Sequence, residues 1–283
     1  MSNPANQGSR SPVLMLLPAM GVAARFYEPF ARQLERCCGA TVLTIDLPGQ
    51  GSSPLRASAG HDYGYREVVE VCIPQAVRRA AADHPGRPLF LVGHSLGGQL
   101  GLLATTRLAG LLRGLVLIAA GTAHWRAWPR GSRWRAALTV HGIRTAAALL
   151  PWYPGERLGF GGNQSRRFMR DWAFNAAGGR YRLEGSVQSP DDLEHALQSV
   201  RLPLLALSLH GDPVAPPGAL AELLAKLPNA EITHETLDGV AADSPWRRHF
   251  SWARRPTAVH ERLAHWLARV PSVAVPAALR QVA

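Results

Sequence analysis

The sequence predicts an α/β protein: a mostly parallel, doubly wound sheet with a mainly helical cap inserted between two of its strands. Three observations carry this. Short strand-like runs recur at 13–17, 41–45, 89–92, 115–119, 204–209 and 231–237, and segments of helical spacing lie between them. Strands alternating with helices belong to a parallel sheet covered on both faces. The strand signals then break off over 121–200, where Trp, Arg and helical spacing take over. Finally, Ser95 stands between glycines at the point where an apolar run ends and helical spacing begins.

Residues 1–12 are polar and rich in Ser, Asn, Gly and Pro, unlike a signal peptide, and read as a disordered N-terminus. The 13–17 strand is followed by Phe26, Phe30 and Leu34 at helical spacing, and Gly39 closes that helix before the strand at 41–45. A unit of this kind sets its two strands parallel, with a right-handed crossover. Asp46-Leu47-Pro48-Gly49-Gln50-Gly51-Ser52-Ser53 is a loop dense in turn formers. A helix over 65–82 carries Val69, Cys72, Ile73, Ala76 and Val77 on one face, with Pro74 expected to kink it. Leu96, Leu100, Leu103 and Leu108 mark the helix after the 89–92 strand. Inside the 121–200 stretch, helices are expected over 134–150, ending before Pro151, and around 166–175. The sheet resumes at 204–209, followed by Leu220, Leu223, Leu224 and Leu227 at i, i+3, i+4 and i+7. After the 231–237 strand, a loop over 238–256 leads to a last helix bearing Val259, Leu263, Trp266, Leu267 and Val270. The expected division is therefore a core of 13–120 and 201–270, a cap of 121–200 and a tail of 271–283.

At 283 residues and 47% hydrophobic content, the chain has enough material for one large core with an insertion. No apolar stretch reaches the roughly 20 residues of a membrane span, so a cytoplasmic location is expected. Cys37, Cys38 and Cys72 are odd in number and lack metal-ligand spacing, which points away from a disulfide framework and from zinc. His61 and Asp62 adjoin without a third ligand nearby, so no metal and no cofactor is expected. The net charge of +11 comes from 31 basic residues, of which Lys226 alone is lysine. They are scattered and accompany no recognition motif, so no nucleic-acid partner is predicted.

A strand that turns directly into a helix strains the residue at the corner, and Gly93 and Gly97 allow the two elements to approach. Ser95 at that corner is a candidate nucleophile. A serine hydroxyl is weak at neutral pH and needs a histidine base, held in one tautomer by a carboxylate. Both should sit at the carboxyl ends of later strands. The run at 204–209 leads into His210-Gly211-Asp212-Pro213, which offers Asp212. The rival position after 115–119 offers Ala120, Gly121, Thr122, Ala123 and His124, none acidic. Of 11 histidines, His249 alone falls on the loop between the last strand and the last helix; His234 lies in a strand, and His260 and His265 on a helix. His94 reads as an elbow residue facing away from the reaction. The charge that develops on a carbonyl oxygen needs backbone N–H donors. Leu96 at the helix start is one, and Met20, in Pro18-Ala19-Met20-Gly21, is the expected second. Trp125, Trp128 and Trp172 are candidates to line an apolar acyl pocket, or else pack the cap onto the core. Arg126, Arg130 and Arg133 read as solvated rather than substrate-holding.

Gly93-His94-Ser95-Leu96-Gly97, the Asp46, Gly49, Gly51 and Ser53 loop, the Gly211-Asp212-x-Val214-x-Pro216 acid loop and a late histidine stand in the order of the α/β-hydrolase superfamily, which the chain resembles. Leu17-Pro18-Ala19-Met20-Gly21, Phe26-Tyr27 and the Trp-rich insertion are similar to predicted hydrolases of the serine-aminopeptidase-like type. The resemblance spans almost everything after residue 12. It implies the α/β-hydrolase fold and the three catalytic positions, but says little of substrate. There are two departures: Pro18-Ala19 replaces the usual His-Gly pair, and Arg248 replaces the usual glycine before the histidine. The expected function is a serine esterase acting on a small-molecule acyl substrate, cleaving a carboxylic ester, thioester or lactone through an acyl-enzyme. An acyltransferase using the same triad, a non-catalytic binding protein, and haloperoxidase or C–C hydrolase chemistry are the alternatives.

Overall fold

Every strand-like run becomes a strand of one sheet in the computed structural model, which describes residues 11–108, 110–238 and 244–270. Most of the expected disordered N-terminus and all of the 271–283 tail lie outside the described residues. The first half of the core runs β1 (Val13–Leu17), α1 (Glu28–Cys38), β2 (Thr41–Thr44), α2 (Ile73–Asp83), β3 (Leu89–His94), α3 (Leu96–Thr105) and β4 (Gly114–Ile118). There follow α4 (Arg133–Leu149), β5 (Trp152–Pro154), α5 (Gly155–Leu158), β6 (Asn163–Ser165), α6 (Arg166–Gly178) and α7 (Pro190–Gln198). The core resumes with β7 (Pro203–Leu209), α8 (Pro217–Leu224), β8 (Glu231–Leu237), α9 (Pro245–Ser251) and α10 (Thr257–Arg269).

The main sheet has the order β2-β1-β3-β4-β7-β8, and every pairing is parallel. Side chains alternate across it. Val13, Met15, Leu17, Leu91, Leu115 and Leu117 face one apolar layer, which holds α2 and α3. Leu14, Leu16, Phe90, Val92, Val116 and Ile118 face the other, with Phe30 and Leu34 of α1 and Leu263 and Trp266 of α10. The inner strands are therefore apolar on both sides, which is why their sequences show no alternation.

The structure departs from the sequence expectation at several elements. Pro74 does not kink a continuous α-helix: residues 67–72 form a π-helical stretch, in which the Ile73 amide bonds the Val68 carbonyl five residues back. Proline has no N–H and crowds the carbonyl four residues earlier, so the turn before it widens. The expected loop over 238–256 contains α9, with Ser244 accepting the Arg247 amide as N-cap and a proline at the helix start. His249 thus sits on a short helix rather than on a loop. The strands also do not stop between β4 and β7, since β5 and β6 pair antiparallel through Tyr153 and Gln164.

This intervening segment reaches the carboxyl ends of the main strands. Gly21, just after β1, has φ 75°, and a Cβ there would lie 2.6 Å from the Gly161 carbonyl carbon. Asp171 of α6 accepts the Tyr65 amide at 3.1 Å, and the Ser165 hydroxyl donates to the Tyr63 carbonyl. Among the described residues no helix is long and apolar enough to cross a membrane, and no group of His, Cys, Asp and Glu is placed to hold a metal ion.

Candidate active site

β3 passes into α3 through Ser95, whose backbone is at φ 53°, ψ −121°. A side chain in that region costs on the order of 1–3 kcal/mol and persists only where its surroundings enforce it. Here the enforcement is visible. The Ser95 amide donates to the Ile118 carbonyl of β4 at 3.0 Å. A Cβ on Gly93 would lie 2.3 Å from the Gly98 Cα, and one on Gly97 would lie 2.4 Å from the Leu17 carbonyl oxygen. The helix start is thus pressed against β3 and the end of β1, and the serine is turned outward, half-buried, at the strand ends. Leu96 is the first residue of α3, so its amide has no intrahelical acceptor.

Asp212 follows β7. Its Oδ1 accepts the Val214 and Ala215 amides at 2.8 and 3.3 Å, and its Oδ2 accepts from His249 Nδ1 at 2.7 Å. Asp212 is 4% exposed and His249 1%. A carboxylate only accepts, so Nδ1 carries the proton and Nε2 of the neutral ring keeps its lone pair. The Ser95 hydroxyl makes no hydrogen bond among the described residues; in unliganded sites such bonds are often long and tighten only with substrate. Arg248, where glycine is usual, donates from its guanidinium to the His210 carbonyl at 3.1 Å and so ties α9 to the acid loop.

His94 proves to be more than an elbow residue. Its Nε2 lies 3.0 Å from the His249 carbonyl oxygen and its Nδ1 lies 2.7 Å from the Tyr27 hydroxyl. A carbonyl only accepts, so Nε2 is the donor; Nδ1 then accepts from Tyr27. Burial, reinforced by the neighbouring His249, pushes His94 well below its ordinary pKa, which keeps that tautomer neutral. The Tyr27 oxygen in turn accepts the Ala19 amide at 2.9 Å. One relay of side chains therefore joins the His249 backbone to the loop after β1.

That loop is also held by Gln50. With its nitrogen toward two carbonyls, the buried carboxamide donates to Ala19 O at 3.2 Å and Val22 O at 2.8 Å, and accepts from the Gly21 amide at 3.2 Å. The Val22 amide donates to Ala19 O at 3.1 Å. Pro18 has no N–H, so the Met20 amide is left as the one amide of 18–22 with no acceptor among the described residues. Sequence reasoning saw Gln50 only as a loop residue. The available signal was its place after β2, whose carboxyl end lies beside that of β1.

The three tryptophans separate. Trp172 is buried against Phe160, with ring centroids 5.2 Å apart, and the Met20 side chain packs beside the adjoining Gly161. Trp128 donates from Nε1 to the Pro213 carbonyl at 3.2 Å, next to Asp212. Trp125 is partly buried, with the Arg126 guanidinium 5.0 Å from its ring. Arg126 and Arg130 are exposed, as expected, while Arg133 bonds the Trp128 carbonyl.

A parallel sheet with a strained serine at a glycine-lined strand-to-helix corner, and a buried Asp-His pair after later strands, defines an α/β-hydrolase. The chain matches the hydrolase family described as "Serine aminopeptidase, S33" over residues 8–241, and belongs to it. It is 34% identical over 94 residues to human (Homo sapiens) monoglyceride lipase, covering 32% of this chain and 29% of that protein. It is 30% identical over 112 residues to protein phosphatase methylesterase 1 of Bos taurus, covering 39% of this chain and 28% of that one. The matched stretches thus span under a third of either relative. Among solved structures, the monoacylglycerol lipase of Paleococcus ferrophilus superposes with a TM-score of 0.61 at 16% identity, covering 93% of this chain and 97% of that one.

Proposed function

We propose that the protein is a serine esterase working through an acyl-enzyme, with Ser95 as nucleophile, His249 as base and Asp212 as its orienting carboxylate. The observation that carries this is the 2.7 Å bond between two buried side chains, His249 and Asp212, which fixes the base tautomer at the strand ends. Ser95 Oγ attacks the acyl carbon while His249 Nε2 takes its proton, and Asp212 stabilises the resulting imidazolium. The Met20 and Leu96 amides receive the oxyanion, each worth about 3 kcal/mol. Collapse expels the alcohol, protonated by His249, and water then repeats the sequence on the acyl-enzyme. Both curated relatives carry names of carboxylic-ester hydrolases, which favours an oxygen ester over a thioester, a lactone or acyl transfer. Residues 121–200 act as the cap, and the Phe160–Trp172 pair beside Met20 supplies an apolar acyl wall.

A fluorophosphonate reagent should label the folded protein once per chain, and Ser95→Ala should abolish that labelling. A chain-length series of chromogenic esters should show turnover, lost in the same variant. Absence of labelling in the folded wild type would refute the assignment.

A further inference from the structure

A cleft of about 1510 Å³ opens between α1, with the turn before it, and α9, with the turn joining it to α10. Arg25, Arg32 and Arg36 line one wall, Arg247, Arg254 and Arg255 the other, and Glu28 is the single carboxylate among the lining residues. Glu28 is already engaged by Arg32 at 2.5 Å. Arg25, Arg36, Arg254 and Arg255 are exposed, and none has a carboxylate within ion-pair distance among the described residues, although Arg25 also acts on the Asp46 carboxylate at longer range.

The arrangement is regular. Arg25, Arg32 and Arg36 recur along one face of the helical stretch, and Arg254 stacks its guanidinium 5.2 Å from the Phe26 ring. Phe26 and Phe250, themselves in edge contact at 6.5 Å, give the cleft an aromatic floor. Guanidinium groups gathered in a concave space repel one another when the space holds only water, and a multivalent anion turns that repulsion into attraction. Planar guanidinium forks match the oxygens of phosphate better than ammonium groups do. Ser95, Asp212 and His249 do not line this cleft.

We propose that the cleft binds a small molecule bearing a pyrophosphate group, free or as part of a nucleoside diphosphate. The proposal stands independently of the esterase assignment. Calorimetric titration of the full chain with pyrophosphate, ADP and orthophosphate tests it. Pyrophosphate and ADP should saturate one site per chain, with orthophosphate at least about tenfold weaker. Equal affinity for pyrophosphate and ADP would assign recognition to the phosphates alone; tighter ADP would add the aromatic floor. The pair Arg36→Ala with Arg255→Ala should weaken binding about tenfold or more, while Arg78→Ala with Arg144→Ala, on α2 and α4, should change it less than about twofold. No saturable binding of pyrophosphate or ADP would overturn the site. So would an equal loss in both arginine pairs, which would leave only a diffusely basic surface.

Discussion

His94 shows how much of a site is decided by one buried side chain that never meets substrate. Its two ring nitrogens are fully used, one on the His249 carbonyl and one on the Tyr27 hydroxyl. His94→Ala would take the acceptor from the buried Tyr27 hydroxyl proton, although its oxygen keeps the Ala19 amide, and the side-chain donor from the His249 carbonyl, at about 1–3 kcal/mol each. Equilibrium urea unfolding should therefore show a loss of a few kcal/mol. Because the proposed acyl wall of Phe160 and Trp172 is untouched, ester hydrolysis should lose kcat while KM stays nearly constant. The pH dependence has a definite sign. A histidine held well below its ordinary value of 6.5 binds its proton less readily in the folded than in the unfolded state. Its stability contribution is complete above pH 6.5 and lost as the pH falls below it. Comparing unfolding free energies of wild type and His94→Asn between pH 7 and 5 should show the wild type losing more. His94 stood beside the serine in the sequence, yet its role was not legible there, because its partners lie 67 and 155 residues away.

At the scale of elements, what could be read in advance followed the local rules. β1 came from an apolar run and the end of α4 from Pro151, which are local signals. The missed elements were of two kinds. α7 and α9 both begin with a serine cap followed by proline, a readable start signal, although α9 is only seven residues long. β5 and β6 are three residues each and exist only through their pairing, so no periodicity could announce them. The elbow was legible because its constraint is steric and falls on adjacent residues. Gly97→Ala tests that constraint: the added methyl would stand 2.4 Å from two backbone carbonyl oxygens, Leu17 O and Pro18 O, neither of which can rotate away. A cost of about 3 kcal/mol or more is expected from forced overpacking. Thermal unfolding should show it, whereas a shift under one degree would mean that α3 slides freely on the sheet.

For the molecule as a whole, the seating of the 121–200 segment on the core is what the sequence left open, since it rests on contacts between distant residues. Asp171 is the centre of that seat. Fully buried on α6, it accepts the Tyr65 amide at 3.1 Å, the Glu184 amide at 3.2 Å and Arg182 Nε at 3.1 Å. Burial pushes its carboxyl up to about 6, with Glu184 adding to the rise, although the Tyr65 amide and Arg182 pull the other way. The folded protein therefore holds this proton more tightly than the unfolded chain does, the reverse of the usual carboxylate. Between pH 4 and 6 the Asp171 contribution to stability falls as pH rises, by up to about 3 kcal/mol for a shift of this size. Asp46 works in the opposite direction: burial opposes its ionisation, but the Ala24 and Ser52 amides hold it below the ordinary carboxylate range. The raw pH profile of the protein consequently mixes both signs. The difference between wild type and Asp171→Asn isolates the buried group, since the amide keeps the size and loses the titration. Measured by denaturant unfolding at pH 4, 5 and 6, the wild-type advantage over Asp171→Asn should shrink steadily with rising pH. A constant difference would mean that Asp171 is ionised throughout, with Arg182 offsetting the full cost of its burial.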